Sequence, residues 1–388
     1  MALVIFITFL ISFLSFDGFE CKNLGGSAEL INHNNEAISV AKTVYGDIYD
    51  CIDIYKQPAF NHPALSNHKI QMSFWKEWEE KRKLMSRNHT TTKFNPKDLW
   101  LEGRGCPKGT VPIRQMTKEQ QKRALRADQA LKYPSLATGP ILDFAGITVN
   151  ADPGKKYGAA QAVINIYNPK VVGPGHYSSA TIAIESGENQ IQMGWIVHPQ
   201  LYGDYRTRLY SSWTADNSRS TGCFNNNCPG FVVLSRDMPL DYAFPSISQP
   251  EEQQYDSLIG LALVNGTGEW LLVFEFNTVI GYWPNSILPN LASGAETIRW
   301  GGQVFTPPSD DTSSQMGSGL FRNGQRRITC YMRQVTYDET ISPDKSSLQT
   351  HDSRCYYEGY NFYDKDSYWA YSFLFGGKGG KDGVTCIY

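Results

Sequence analysis

Four carboxylates fall in segments that read as β-strands: Glu185 in IAIESG, Glu269 and Glu275 in EWLLVFEF, and Glu296 just ahead of TIRW. Two carboxyl groups facing one cleft, one of them with a raised pKa, can share general acid and general base work. Spacing alone does not say which of these four meet. Other chemistries lack their residues. The seven histidines include no His-Glu-x-x-His, the arrangement that puts two zinc ligands on one helix face. Ser318 in MGSGL lacks the first glycine of a nucleophile elbow. In GGKGGKDG, Asp382 stands where a phosphate loop needs Ser or Thr after its lysine, so the stretch reads as a glycine turn.

Eight cysteines are present, at 21, 51, 106, 223, 228, 330, 355 and 386, and they form no twinned array of closely spaced pairs. That disfavours a zinc site and favours disulfides. Within TGCFNNNCPG, an Asn-rich turn brings Cys223 and Cys228 within bridging reach. Thiols committed to bridges leave no Cys nucleophile. Carboxylate chemistry without a cofactor, or binding alone, remains.

Such groups need a scaffold, and the composition points to its type. The chain has 388 residues, with 22 Tyr, 19 Phe and 9 Trp interleaved with 34 Gly and 20 Pro, which suits many short antiparallel strands joined by turns. The 36 basic residues against 38 acidic ones exclude the basic excess that a nucleic-acid partner requires. From residue 141 onward, ATIAIESG, QMGWIVHP, RLYSSWTAD, GFVVLSRD, GEWLLVFEFNTVIGYWP, TIRWGGQVF and YWAYSFLFGG read as strands, without intervening helices. A two-sheet antiparallel sandwich over 141–388 follows.

The preceding part has another texture. QMSFWKEWEEKRKLMSR places Trp75, Trp78, Arg82 and Met85 on one helical face. TKEQQKRALRADQALKYP opens with Thr117 and Gln120 in capping-box spacing and stops at Pro134; it reads as a solvated helix or a processing linker with basic sites at Lys122, Arg123 and Arg126. The uncharged apolar run at 1–16 reads as a signal-peptide core within a leader of residues 1–20, which implies secretion and no membrane anchor once it is removed. Asn88 and Asn265 lie in Asn-x-Thr sequons and are candidate glycan sites on that route.

Two groups of motifs carry a family resemblance. DCIDIYKQPAFNHPALSNHKIQM and CPKGTVPIR, within about 40–135, resemble the activation domain of the plant neprosin family. IQMGWIVHPQLYGD, WTAD, TGCFNNNCPGF, VIGYWP, WGGQVF, QMGSG and FGG resemble, in order and spacing, that family's catalytic domain. The resemblance implies an α+β activation domain ahead of a glutamic-peptidase-type β-sandwich. It also implies a proline-directed, acid-active endopeptidase that works with two glutamates and no metal. At the two catalytic positions so implied this chain carries Gln192 and Gln303. A carboxamide keeps the shape and the hydrogen-bonding capacity of glutamate but cannot take a proton from water.

The resemblance therefore implies an impaired enzyme that retains binding of a peptide or a proline-rich, cell-wall-type protein. Glu185, seven residues before Gln192, is the candidate substitute base, and an active acid endopeptidase is the alternative. A lectin-like module is a third possibility, at the level of fold analogy only. Trp195 and Trp300, beside the two glutamines, are candidate walls for a proline-containing ligand. The expected disulfides are Cys51–Cys106, Cys223–Cys228 and Cys355–Cys386, with Cys21–Cys330 as the residual pair if Cys21 survives removal of the leader.

Overall fold

The computed structural model describes residues 37–70, 96–131, 141–275, 278–338, 341–344, 347–364, 368–381 and 384–385. The leader, Cys21, the helical stretch around Trp75, Asn88 and Cys386 lie outside the described residues. The described residues begin with β1 (Ala37–Lys42), β2 (Ile48–Asp53) and β3 (Thr110–Arg114), which form a three-stranded antiparallel sheet. Helix α1 (Lys118–Leu131) follows, and its start obeys the capping box. The Gln120 side chain accepts from the Thr117 backbone N–H at 2.7 Å, and the Thr117 hydroxyl accepts from the Gln120 N–H at 3.2 Å.

Then come β4 (Ile141–Asn150), β5 (Ala159–Asn165), β6 (Tyr177–Ser186), β7 (Asn189–Val197), the single-turn α2 (Pro199–Tyr202), β8 (Arg208–Thr214), β9 (Cys223–Phe224) and β10 (Val232–Val233). The rest is β11 (Asp256–Leu263), β12 (Trp270–Phe274), β13 (Thr278–Trp283), β14 (Thr297–Thr306), β15 (Thr312–Ser313), β16 (Cys330–Tyr337), β17 (Leu348–His351), β18 (Tyr357–Asp364), β19 (Ala370–Gly376) and β20 (Gly380–Lys381). One sheet runs β17-β4-β14-β6-β7-β8-β9, and the other β10-β13-β12-β11-β5-β16-β19-β18. All pairings in both are antiparallel. Their facing sides meet in one core containing Ile147, Ile182, Trp195 and Trp300 from the first sheet and Ile259, Phe274, Met332 and Phe373 from the second. The sandwich expectation holds. GEWLLVFEFNTVIGYWP, read as one strand, is instead the hairpin of β12 and β13, with Glu275 at φ 50° opening the turn.

Residues 37–131 do not stand apart from the sandwich. On the eight-stranded side, the Gln57 amide bonds Val233 through both its oxygen and its nitrogen, and His68 bonds the Tyr282 hydroxyl at 2.6 Å. On the seven-stranded side, buried charges join the two parts. Asp47 accepts from Arg114 at 3.0 Å and from Arg208 of β8 at 2.9 and 3.1 Å, while the Tyr49 hydroxyl donates to Asp241 at 2.8 Å. Both guanidinium groups also lie over the Tyr202 ring.

Disulfides Cys51–Cys106 and Cys223–Cys228 are present, with Cα separations of 5.5 and 6.1 Å. Cys355 is disulfide-bonded. The expected Cys21–Cys330 pair is overturned: Cys330 is a free thiol, fully buried, with its sulfur 3.5 Å from the Asn165 carbonyl. It stands opposite Phe375 of β19, enclosed by the sandwich core.

Two outcomes follow from the charge network. Asp47→Ala removes the carboxylate shared by two buried guanidinium groups, leaving Arg208 with Asp204 and Arg114 with the more distant Asp241, and urea unfolding should show a loss of about 3 kcal/mol. Burial pushes the Asp241 carboxyl up to about 6, against the pull of Arg114, Tyr49 and Arg208. Its folded pKa lies above its unfolded one. The stabilisation is therefore complete below about pH 4 and is lost as pH rises through about 6. Asp241→Asn should abolish this component, measured as the difference in unfolding free energy between pH 4 and pH 7.

Candidate functional site

Paired residues in an antiparallel ladder share a face, so the register defines what the outer side of the seven-stranded sheet presents. Gln192 of β7 stands opposite Ala183 of β6 and Ser212 of β8, and Ala183 stands opposite Arg299 of β14. Gln303 of β14 stands opposite Ser179 of β6, which in turn faces Ile196 of β7. Both glutamines therefore lie on the outer face. They are separated by β6 and offset by four residues, roughly 13 Å along the strands and 10 Å across them. Thr181, Gly194 and Gly301 form the row between. The pleat shares this face, but the two amides do not touch.

The strand around Gln303 is shaped by close approaches. A Cβ on Gly301 would stand 2.3 Å from the Ala145 carbonyl, and one on Gly302 would stand 2.4 Å from the Met316 sulfur. The glycine pair lets β14 lie flush against β4 on one side and the core on the other. Gln303 follows at 4% exposure, and among the described residues its amide makes no hydrogen bond. Nearby, the Tyr210 hydroxyl lies against the Thr181 and Ser179 hydroxyls, and burial raises its pKa.

Gln192 is half-buried and belongs to a chain of side chains. Its Nε2 donates to Gln190 Oε1 at 2.6 Å, and Gln190 Nε2 donates to Glu185 Oε1 at 2.8 Å. The other oxygen of Glu185 pairs with Arg299 Nη2 at 3.3 Å. Glu185 is thus on the same face as Gln192, and connected to it, but through an intervening amide. Among the described residues no carboxylate bonds either glutamine directly. Of the other candidate carboxylates, Glu296 adjoins Glu185 through its backbone N–H, which donates to the Glu185 carbonyl at 2.8 Å. Glu275 accepts from the Leu258 N–H, Glu296 is paired with Lys156, and Glu269 is buried beyond the Val264 turn.

Trp195 and Trp300 do not wall this face. Each neighbours the middle row in sequence and therefore points to the opposite side of the sheet, where both are fully buried. The Trp195 indole donates to the Asn165 carbonyl across the core at 2.9 Å. Asn265, by contrast, is exposed in the β11–β12 turn, as a glycan acceptor requires.

Helix α1 covers the Gln303 end of the face. Ala124 and Ala127 pack with Tyr177, Ile196, Tyr210, Phe224 and Phe305 in a second apolar cluster. Asp128, buried, accepts from the Phe224 backbone N–H at 2.9 Å. Arg123 lies over Gly203, whose φ of 82° ends α2; a Cβ there would stand 2.6 Å from the guanidinium. The basic helix is therefore docked, not a solvated linker. The Ala124–Ala127 spacing signalled this docking, and the surrounding charges obscured it. Gln190, Arg299 and Tyr210 were also missed, because only the cross-strand register shows that they share a face with the glutamines.

Asp128→Ala leaves the buried Phe224 N–H without an acceptor and should loosen α1 by about 1–3 kcal/mol. Hydrogen exchange of residues 118–131 should accelerate, while that of β14 stays slow.

Two family matches cover the chain: the neprosin activation peptide over residues 40–136 and neprosin over residues 174–378. Among solved structures, similarity is found to scytalido-glutamic peptidase with a transition-state analog inhibitor, at 9% identity and a TM-score of 0.31, covering 61% of this chain and 98% of that one. SCP-B, a member of the eqolisin family of peptidases in complex with the tripeptide Ala-Ile-His, matches at 7% identity over the same shares, with a TM-score of 0.31. With the match from 174 to 378 spanning more than half of its 388 residues, and the activation-peptide match ahead of it, the chain belongs to the neprosin family.

Proposed function

We propose that this is a secreted neprosin-family protein that binds an extended, proline-containing peptide segment across the outer face of the seven-stranded sheet and hydrolyses it little or not at all. One observation carries the reading. Both family positions hold amides, and the carboxylate linked to Gln192, Glu185, is one side chain removed from it and ion-paired with Arg299. Activating water requires a group that accepts its proton, and neither amide does so. A positioned general base contributes on the order of 10²–10⁴ in rate. Amide donors left in place retain part of the oxyanion stabilisation but have nothing to deprotonate the nucleophile. Disulfides Cys51–Cys106 and Cys223–Cys228 and the apolar leader support passage through an oxidising, secretory route. A proline-rich cell-wall protein is the ligand class proposed.

The competing reading, an acid endopeptidase with Glu185 as base, draws on the hydrogen-bonded path from Glu185 to Gln192. Digestion of a proline-rich protein at acid pH separates the two. The natural chain, after release of the leading segment, should give no cleavage above background. The double variant Gln192→Glu, Gln303→Glu should gain cleavage beside proline by at least about 10²-fold. Cleavage by the natural protein that disappears in Glu185→Gln would establish the endopeptidase instead. A folded double variant that stays inert would place the lost function beyond these two positions.

A further inference from the structure

Resting on the peptide-binding reading, the geometry points to a further role: Glu185, acting through Gln190, sets the amide of Gln192 so that its carbonyl oxygen faces the bound chain. Position 192 then serves as a hydrogen-bond acceptor for a backbone N–H of the ligand. The orientation follows from which atoms can donate. One Glu185 oxygen meets the Arg299 guanidinium, a pure donor, and the other accepts from Gln190. Gln190, 2.8 Å from that second oxygen, therefore turns its NH₂ group toward Glu185. Its own oxygen then points toward Gln192, 2.6 Å away, and only the NH₂ group of Gln192 satisfies that oxygen. Two amides in series transmit one sign choice from a partly exposed ion pair to the ligand face.

The Gln192 oxygen is left over. Among the described residues it has no partner, and Ser212 and Ala183 flank it in the row. An extended peptide presents a backbone N–H at every second residue along an edge, each needing an acceptor once it leaves water. Glu185 is a positioning residue in this arrangement. It holds Gln192 and does not touch the ligand.

The first measurement needs no ligand. In the ¹⁵N-labelled full chain, the Gln192 side-chain amide is assigned by its loss in Gln192→Leu. One of its two protons should be shifted and slow to exchange. Glu185→Gln removes the fixed acceptor, and exchange of that proton should accelerate roughly three- to ten-fold. Glu185→Asp should restore much of the protection. Gln190→Leu cuts the relay while leaving the Glu185–Arg299 pair intact, and should reproduce the Glu185→Gln effect with β7 backbone signals unchanged. A Gln192 amide indifferent to both Glu185→Gln and Gln190→Leu overturns the relay.

The second measurement uses acetyl-Ala-Ala-Pro-Tyr-Ala-Ala-amide and its singly N-methylated forms as probes. One methylation should weaken binding to the natural chain roughly three- to ten-fold, and that penalty should vanish in Gln192→Leu. A penalty that persists in Gln192→Leu overturns the acceptor role. No binding by any probe overturns the peptide reading and the acceptor role together, while the amide exchange still decides the orientation.

Discussion

The pleat of β14 is the constraint on which both core and site depend. Over Thr297–Thr306, alternate residues go to opposite sides of a sheet whose inner face meets the core and whose outer face is covered at one end. Ile298, Trp300, Gly302 and Val304 enter the core, while Arg299, Gly301 and Gln303 face outward. A one-residue slip would exchange these sets, burying a guanidinium and exposing an indole. Ten consecutive pairs with β4 and nine with β6 hold that register, so the outward position of Gln303 is secured by the same contacts that bury Trp300.

The outer face, in turn, is divided by what covers it. At the Gln303 end, α1 lays two alanines on a ring of aromatics and satisfies a backbone donor with Asp128. At the Gln192 end, the surface is polar, ordered by Glu185, Arg299 and two amides, and half-open to solvent. The leading segment is held to the sandwich by Asp47, Arg114, Arg208 and Asp241, charges too deeply buried to be lost without a partner. Covering one part of the face while leaving the other exposed is thus a property of the whole assembly, not of the strands alone.

Much of the fold was legible in residue order. The Thr117–Gln120 capping box is a local rule, with both bonds spanning three residues, and it appears as the sequence implied. The strands β6, β7, β8 and β14 follow from alternating runs bounded by turn residues. The short bridge Cys223–Cys228 follows from chain reach. Less legible was GEWLLVFEFNTVIGYWP, where continuous hydrophobicity hides a turn because β12 and β13 are buried on both sides. Period-two alternation disappears when both faces are covered.

At the site, the sequence by itself determined the substitution that matters. Glutamine at 192 and 303 lacks an ionisable proton acceptor whatever surrounds it, because that is a property of the functional group. The tryptophans expected as walls lie across the sheet instead, because each stands three residues from its glutamine in a strand whose side chains alternate. Tertiary structure alone decided the rest. Glu185, Gln190 and Arg299 meet through pairings between strands separated by up to 114 residues, and Cys330 is sealed by a partner strand from the far end of the chain. Such contacts depend on register and on which element covers which face, and these are set by the sum of all packing interactions, not by any local run of residues.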